Sequence, residues 1–141
     1  MASINPYINF NGNTEEAFNF YKSVFGGEFL SLNRFKDTPD TNNIPQDAMD
    51  QIMHISLAIG DTVIMATDAP ESMGFKLNKG NNIYLNINLD SDEEVDRIFN
   101  ALSVGGKIEM SLQKTFWNAY FGMFEDKFGI HWMVNHELKN Q

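Results

Sequence analysis

Apolar positions in this chain recur with two different periods, and the switch between them marks out the elements. Ala17, Phe18, Tyr21, Val24 and Phe25 fall on one helical face, Asn13 is placed to cap that helix with Glu16 three residues on, and Gly26-Gly27 ends it. Ser91 and Glu94 form a capping-box pattern for a second helix, Val95, Ile98, Phe99 and Leu102 supply its apolar face, and Gly105-Gly106 stops it. After each helix the period falls to two. Glu28 to Phe35 reads as a strand, and Ile55, Leu57 and Ile59 alternate with His54, Ser56 and Ala58 up to a Gly60-Asp61 turn followed by Thr62 to Thr67. The second half offers strands at Lys107 to Gln113, Ala119 to Glu125 and Ile130 to Asn135, the last two joined by Asp126-Lys127-Phe128-Gly129.

The pattern is a repeat. Ile8-Asn9-Phe10 returns as Ile87-Asn88-Leu89, Glu15-Glu16 as Glu93-Glu94 and Gly26-Gly27 as Gly105-Gly106, at offsets of 79, 78 and 79. Each half therefore reads as strand, helix, then three strands. The organisation expected is a single domain over 1–141, with module one at 1–67, a connecting loop at 68–82 and module two at 83–141. Lys36 to Asp50, with Pro39 and Pro45, reads as a further long loop.

Composition narrows the chemistry. Of 141 residues, 43% are hydrophobic and 13% aromatic, enough to fill a core; there is no Cys, which excludes disulfides, thiolate metal sites and Cys nucleophiles. Ten Lys and Arg stand against 19 Asp and Glu, a formal charge of −9, and the scattered basic residues exclude a nucleic-acid partner as the expectation. No apolar run is long enough for a membrane span, and MASINPYINF lacks the features of a signal peptide, so a cytoplasmic protein with no membrane partner is expected.

The βαβββ unit, repeated once, resembles the vicinal oxygen chelate superfamily of glyoxalases, bleomycin-resistance proteins and extradiol dioxygenases, and within it the PhnB-like group. The resemblance is carried by 6–13 (PYINFNGN), by Glu16-Ala17-Phe18-Asn19-Phe20-Tyr21 running to Val24-Phe25-Gly26-Gly27, and by Ile52-Met53-His54-Ile55 and Gly60-Asp61. Later come Phe116-Trp117-Asn118, Gly122-Met123 and Asp126-Lys127-Phe128-Gly129 before Trp132. It implies an α+β fold in which two tandem βαβββ modules form a curved, mostly antiparallel sheet with a concave ligand cavity. It also implies a homodimer. The superfamily's metal-ligand positions, carried onto this chain, fall on Asn5 or Pro6, Met65, Tyr84 and Met133. Thioethers, a phenol and an amide or proline suit no catalytic divalent ion, so no metal is expected. Asp61, Asp68 and Glu125, the nearby carboxylates, are expected at turns or a strand end, facing solvent.

Candidate chemistry then rests on a few side chains. His54 is either a hydrogen-bonded structural residue or a cavity residue beside Ser56; His131, on the same strand face as Met133, is either a cavity-rim residue or an exposed strand start. His136, in the tail His136 to Lys139, reads as surface. Trp117 and Asn118 suggest a wall for a planar or sugar-like molecule, with core or dimer packing as the competing reading for Trp117. Phe10, Met65, Tyr84 and Met133 suggest an apolar floor. The ligand-binding set is thus Phe10, His54, Met65, Tyr84, Trp117, Asn118, Tyr120 and Met133.

The function expected is binding of an unidentified small molecule without metal or cofactor. A metal-independent enzyme using His54 or His131 as acid or base, with Tyr84 or Tyr120 as proton partner, is the alternative. A dimeric, partner-binding subunit is a third. The group's associations with ubiquinone-pathway methyl transfer and phosphonates find no support in these residues: both Gly-Gly pairs end helices, and the only arginines are Arg34 and Arg97.

Overall fold

The structure, a computed structural model, describes residues 1–138. The chain divides into two compact units, the first Met1–Asn78 and the second from Lys79 onward. Each carries the strand, helix, three-strand order of the repeat.

In the first unit β1 (Tyr7–Phe10), α1 (Thr14–Phe25), β2 (Phe29–Arg34), β3 (Ile52–Ile59) and β4 (Thr62–Asp68) form a mixed sheet in the order β1-β4-β3-β2. The β1–β4 pair is parallel, with Tyr7 opposite Met65, and the other two pairs are antiparallel. Strand alternation decides the core. Ile55 and Leu57 on β3, Ile64 and Ala66 on β4 and Phe10 on β1 are buried with Ala17, Phe18 and Tyr21 of α1. Phe10 meets Phe18 edge to face, with ring centroids 6.3 Å apart. The opposite face carries Tyr7, His54, Ser56 and Met65, for which Ser56 opposite Met65 sets the register.

Three expectations about this unit are corrected. Asn13 stands at the N-cap of α1, but its side chain makes no capping hydrogen bond. Asp68 does that work from the end of β4: one carboxylate oxygen accepts from the Thr14 amide at 3.1 Å and the Thr14 hydroxyl at 2.6 Å, while the other accepts from the Ile52 amide at 2.9 Å. Instead of facing solvent at a turn, Asp68 is 2% exposed, because the starts of α1 and β3 both present donors to it. β2 also stops at Arg34, and buried Phe35 opens a short 3₁₀ turn to Asp37.

The second unit is built alike from β5 (Leu85–Asn88), α2 (Asp92–Leu102), β6 (Lys107–Lys114), β7 (Ala119–Glu125) and β8 (His131–Glu137), in the order β5-β8-β7-β6. Here the Ser91 half of the expected capping box forms, Ser91 accepting from the Glu94 amide at 3.1 Å, while the Glu94 carboxylate accepts from Arg97. Val95, Ile98, Phe99 and Leu102 bury their α2 face with Phe124, Trp132 and Val134 of the sheet. Buried Asp126 fixes the β7–β8 turn: it accepts from the Phe128 and Ile130 amides and, at 2.8 Å, from the Trp132 indole. No helix among the described residues is long and apolar enough to cross a membrane.

Candidate functional site

The second unit contains an open cleft of about 560 Å³ between the start of β6, the end of β7, the β7–β8 turn and the segment Lys79–Asn81. Its wall is a row across three strands: Lys107 on β6 is opposite Glu125 on β7, which is opposite His131 on β8. The approach of β6 to β7 is close enough that a Cβ at Gly106 would overlap the Glu125 carbonyl oxygen. One further residue joins the row through an irregularity. The β6–β7 register pairs Ile108 with Phe124 and then Met110 with Met123, so Glu109 is the extra residue of a bulge, and a bulge re-aims the side chain it carries.

Glu109 is thereby brought to His131. Its Oε1 lies 3.3 Å from His131 Nδ1, and Glu125 Oε1 lies 3.6 Å from Nε2 on the other side of the ring. The Tyr84 hydroxyl donates to the second Glu109 oxygen at 2.7 Å, and its ring sits 5.2 Å from the imidazole. The His131 side chain is 9% exposed. Burial works against the charge on Glu109, but the hydrogen bonds from Tyr84 and His131 outweigh it and hold the carboxyl below its ordinary 4.5. The same bond to Glu109 raises the Tyr84 phenol, with burial adding to it. His131 is thus a buried imidazole flanked by two carboxylates, Nδ1 within hydrogen-bond reach of Glu109 and Nε2 3.6 Å from Glu125.

Of the residues singled out by sequence, His131 lines this cleft and Tyr84 joins it through Glu109. The others lie elsewhere. Phe10 belongs to the core beneath α1, not to an exposed floor. His54 and Met65 lie on the face of the first sheet opposite to that of Ile55, Leu57 and Ile64; the His54 ring is 5.8 Å from Tyr7 and makes no hydrogen bond among the described residues. Met133 lies on the His131 face of β8 and pairs with Met123 and Asn86. Trp117 stands half-exposed at the β6–β7 tip between Phe116 and Phe121, and Asn118, at φ 67°, donates its amide to the Leu138 carbonyl.

Tyr120 turns to the helix side and donates to Asp96 of α2 at 2.6 Å, a bond that pushes its phenol up to about 12 and removes it as a proton partner for either candidate histidine. His136 is not plain surface: it bonds Asp92 at 2.9 Å, fastening β8 to the start of α2, while Lys139 of the same tail lies outside the described residues. Glu125, expected in solvent, shares the His131 face because the β7–β8 register pairs the two residues.

The positions onto which the superfamily's metal ligands are carried have other contacts here. In the first unit Asn5 spends its side-chain carbonyl on the Val63 amide, and Met65 faces Tyr7. In the second, Tyr84 is committed to Glu109 and Met133 faces Asn86. Phenol, thioether and amide donors do not suit a catalytic divalent ion, and among the described residues no three His, Asp or Glu side chains are arranged to hold one.

A family model described as 3-demethylubiquinone-9 3-methyltransferase matches residues 2–135. The chain belongs to that family, the PhnB-like group. Its relatives include the Escherichia coli K12 protein YjdN, 34% identical over 94% of this chain and 93% of that protein. Protein PA1353 of Pseudomonas aeruginosa is 40% identical with a TM-score of 0.87, over 99% of this chain and 100% of that one. The PhnB protein of Bacillus cereus is 25% identical with a TM-score of 0.76, over 96% and 99%. A glyoxalase/bleomycin resistance protein/dioxygenase family enzyme from Burkholderia phytofirmans shares the fold at 20% identity and a TM-score of 0.63, covering 94% and 97%. The PhnB-like chain thus has the vicinal oxygen chelate fold. The methyl donor implied by the family's description finds no fit in either strand-to-helix turn: Asp68 already fills the amide end of α1 and Ser91 that of α2.

Proposed function

We propose that this PhnB-like protein is a cytoplasmic small-molecule-binding domain whose ligand enters the cleft of the second unit and whose binding uses no metal. The observation that carries this reading is the buried imidazole at the cleft wall, His131 hydrogen-bonded to Glu109 and flanked by Glu125. A buried, oriented titratable group in a concave site costs stability that simple packing would not require, and such groups concentrate where ligands bind. The superfamily's metal positions support the metal-free part of the reading, since their donors here are thioethers, phenols and amides.

A second reading is an enzyme of the same fold, favoured by the chain of hydrogen-bonding groups from Tyr84 through Glu109 to His131. Such a chain lets His131 act as general acid or base while its partner carboxylate holds the ring's orientation. His54, with no carboxylate beside it among the described residues, has no comparable support.

Mass spectrometry of the gently purified native protein tests the leading reading. It expects the chain to carry a non-covalent organic mass that disappears on denaturation and is lost in His131→Ala, with no stoichiometric metal. One divalent ion per chain after dialysis, or an organic mass retained unchanged by His131→Ala, would overturn it.

A further inference from the structure

We propose that the cleft of the second unit takes a small anion, a carboxylate- or phosphoryl-bearing molecule, gripped by Lys79, Lys107 and Lys127; this rests on the reading that the cleft is a ligand site. The charge distribution argues for it. The whole chain has 10 basic and 19 acidic residues, yet this one cleft is lined by three lysines and two glutamates. Both glutamates are already turned to partners in the wall, Glu109 to Tyr84 and His131, Glu125 to His131. Neither Lys79 nor Lys107 takes part in an ion pair among the described residues, whereas Lys22, Lys36 and Lys114 each bind a carboxylate.

The lysines come from three separate segments and two have their stems seated. Lys79 runs along the β7–β8 turn, its Nζ 3.5 Å and Cδ 3.6 Å from where a Gly129 side chain would begin. Lys127 lies across Gly105, its Cβ and Cδ each 3.4 Å from the corresponding point there, and its Nζ is 5.4 Å from the Phe128 ring centre. Lys107 opens β6 directly opposite Glu125, next to the His131 row. Lysines lining a concavity focus a positive field there, against the negative charge of the chain as a whole. His131, with Nδ1 turned to Glu109 and Nε2 to Glu125, lines the same cleft beside these lysines.

Amide NMR titration at low ionic strength tests the assignment, with inorganic phosphate, malonate, choline and glucose as separate probes. The expected result is saturable shifts at residues 107, 125–131 and 79–81 with phosphate or malonate, weakened about tenfold or more in Lys79→Met/Lys107→Met and unchanged in Lys36→Met. Whichever anion binds more tightly separates a phosphoryl from a carboxylate ligand. Equal binding in the double variant would overturn the proposal. So would cleft shifts with choline or glucose and none with either anion, an outcome that leaves the cleft a ligand site of another class. No cleft shift with any probe would remove both the anion assignment and the reading beneath it.

Discussion

Asp68 and Asp61 are seven residues apart and have opposite roles. Asp61 is exposed in the β3–β4 turn, whereas Asp68 is buried and accepts three hydrogen bonds that join α1, β3 and β4. Removing a carboxylate that satisfies buried donors leaves those donors unpaired, at about 3 kcal/mol. Chemical denaturation should therefore show Asp68→Ala destabilised by about that much and Asp61→Ala within about 0.5 kcal/mol of the parent. Similar losses at the two positions would show that the Asp68 network is not what ties the unit together. Sequence reading put both in turns because a strand's last residue and a turn's first look alike; what separates them is the long-range approach of Thr14 and Ile52, which no local pattern records. His131 was legible as a candidate from its spacing to Met133, but Glu109 was not, since its approach depends on a bulge in β6.

At the scale of elements, the two helices were equally readable in their apolar faces and unequally in their caps. Ser91 caps α2 through its own side chain, while α1 takes its cap from β4. Ser91→Ala should cost about 1 kcal/mol and Asn13→Ala close to nothing, measured by urea unfolding. Equal costs would contradict the distinction. The β6–β8 wall makes a separate prediction about acid. Because hydrogen bonds hold the Glu109 carboxyl below its ordinary 4.5, its charge stabilises the fold fully above that value and the contribution is lost as pH falls through the lower folded value. Glu109→Gln should be less stable than the parent at neutral pH, with the gap closing as the pH falls below that ordinary value. A gap independent of pH would mean that Glu109 acts by packing alone.

For the whole molecule, the internal repeat carried the fold: two strand-helix-three-strand units were visible in the spacing, while the pairing order, with β1 parallel to β4 and β5 parallel to β8, was not. The proposed ligand face was far less legible, because the resemblance directed attention to the superfamily's metal positions while the lysines and carboxylates of the cleft are assembled by β6–β7–β8 register. Among the described residues both sheets end in outer strands, β1 and β2 in one, β5 and β6 in the other, each paired on one side within its sheet. We expect a homodimer that covers such edges. Sedimentation at micromolar concentration should give twice the 16.1 kDa chain mass, and a stable monomer would defeat this.

The central claim is that ligand enters beside His131, and the chain's three histidines allow it to be tested in one experiment. Imidazole carbon–proton NMR signals can be followed while a mixed set of small acids, bases and neutral compounds is added to the intact protein. The account predicts that compounds which bind move the His131 signals and leave those of His54 in place. Ligand-dependent shifts at His54 with His131 unmoved would contradict it.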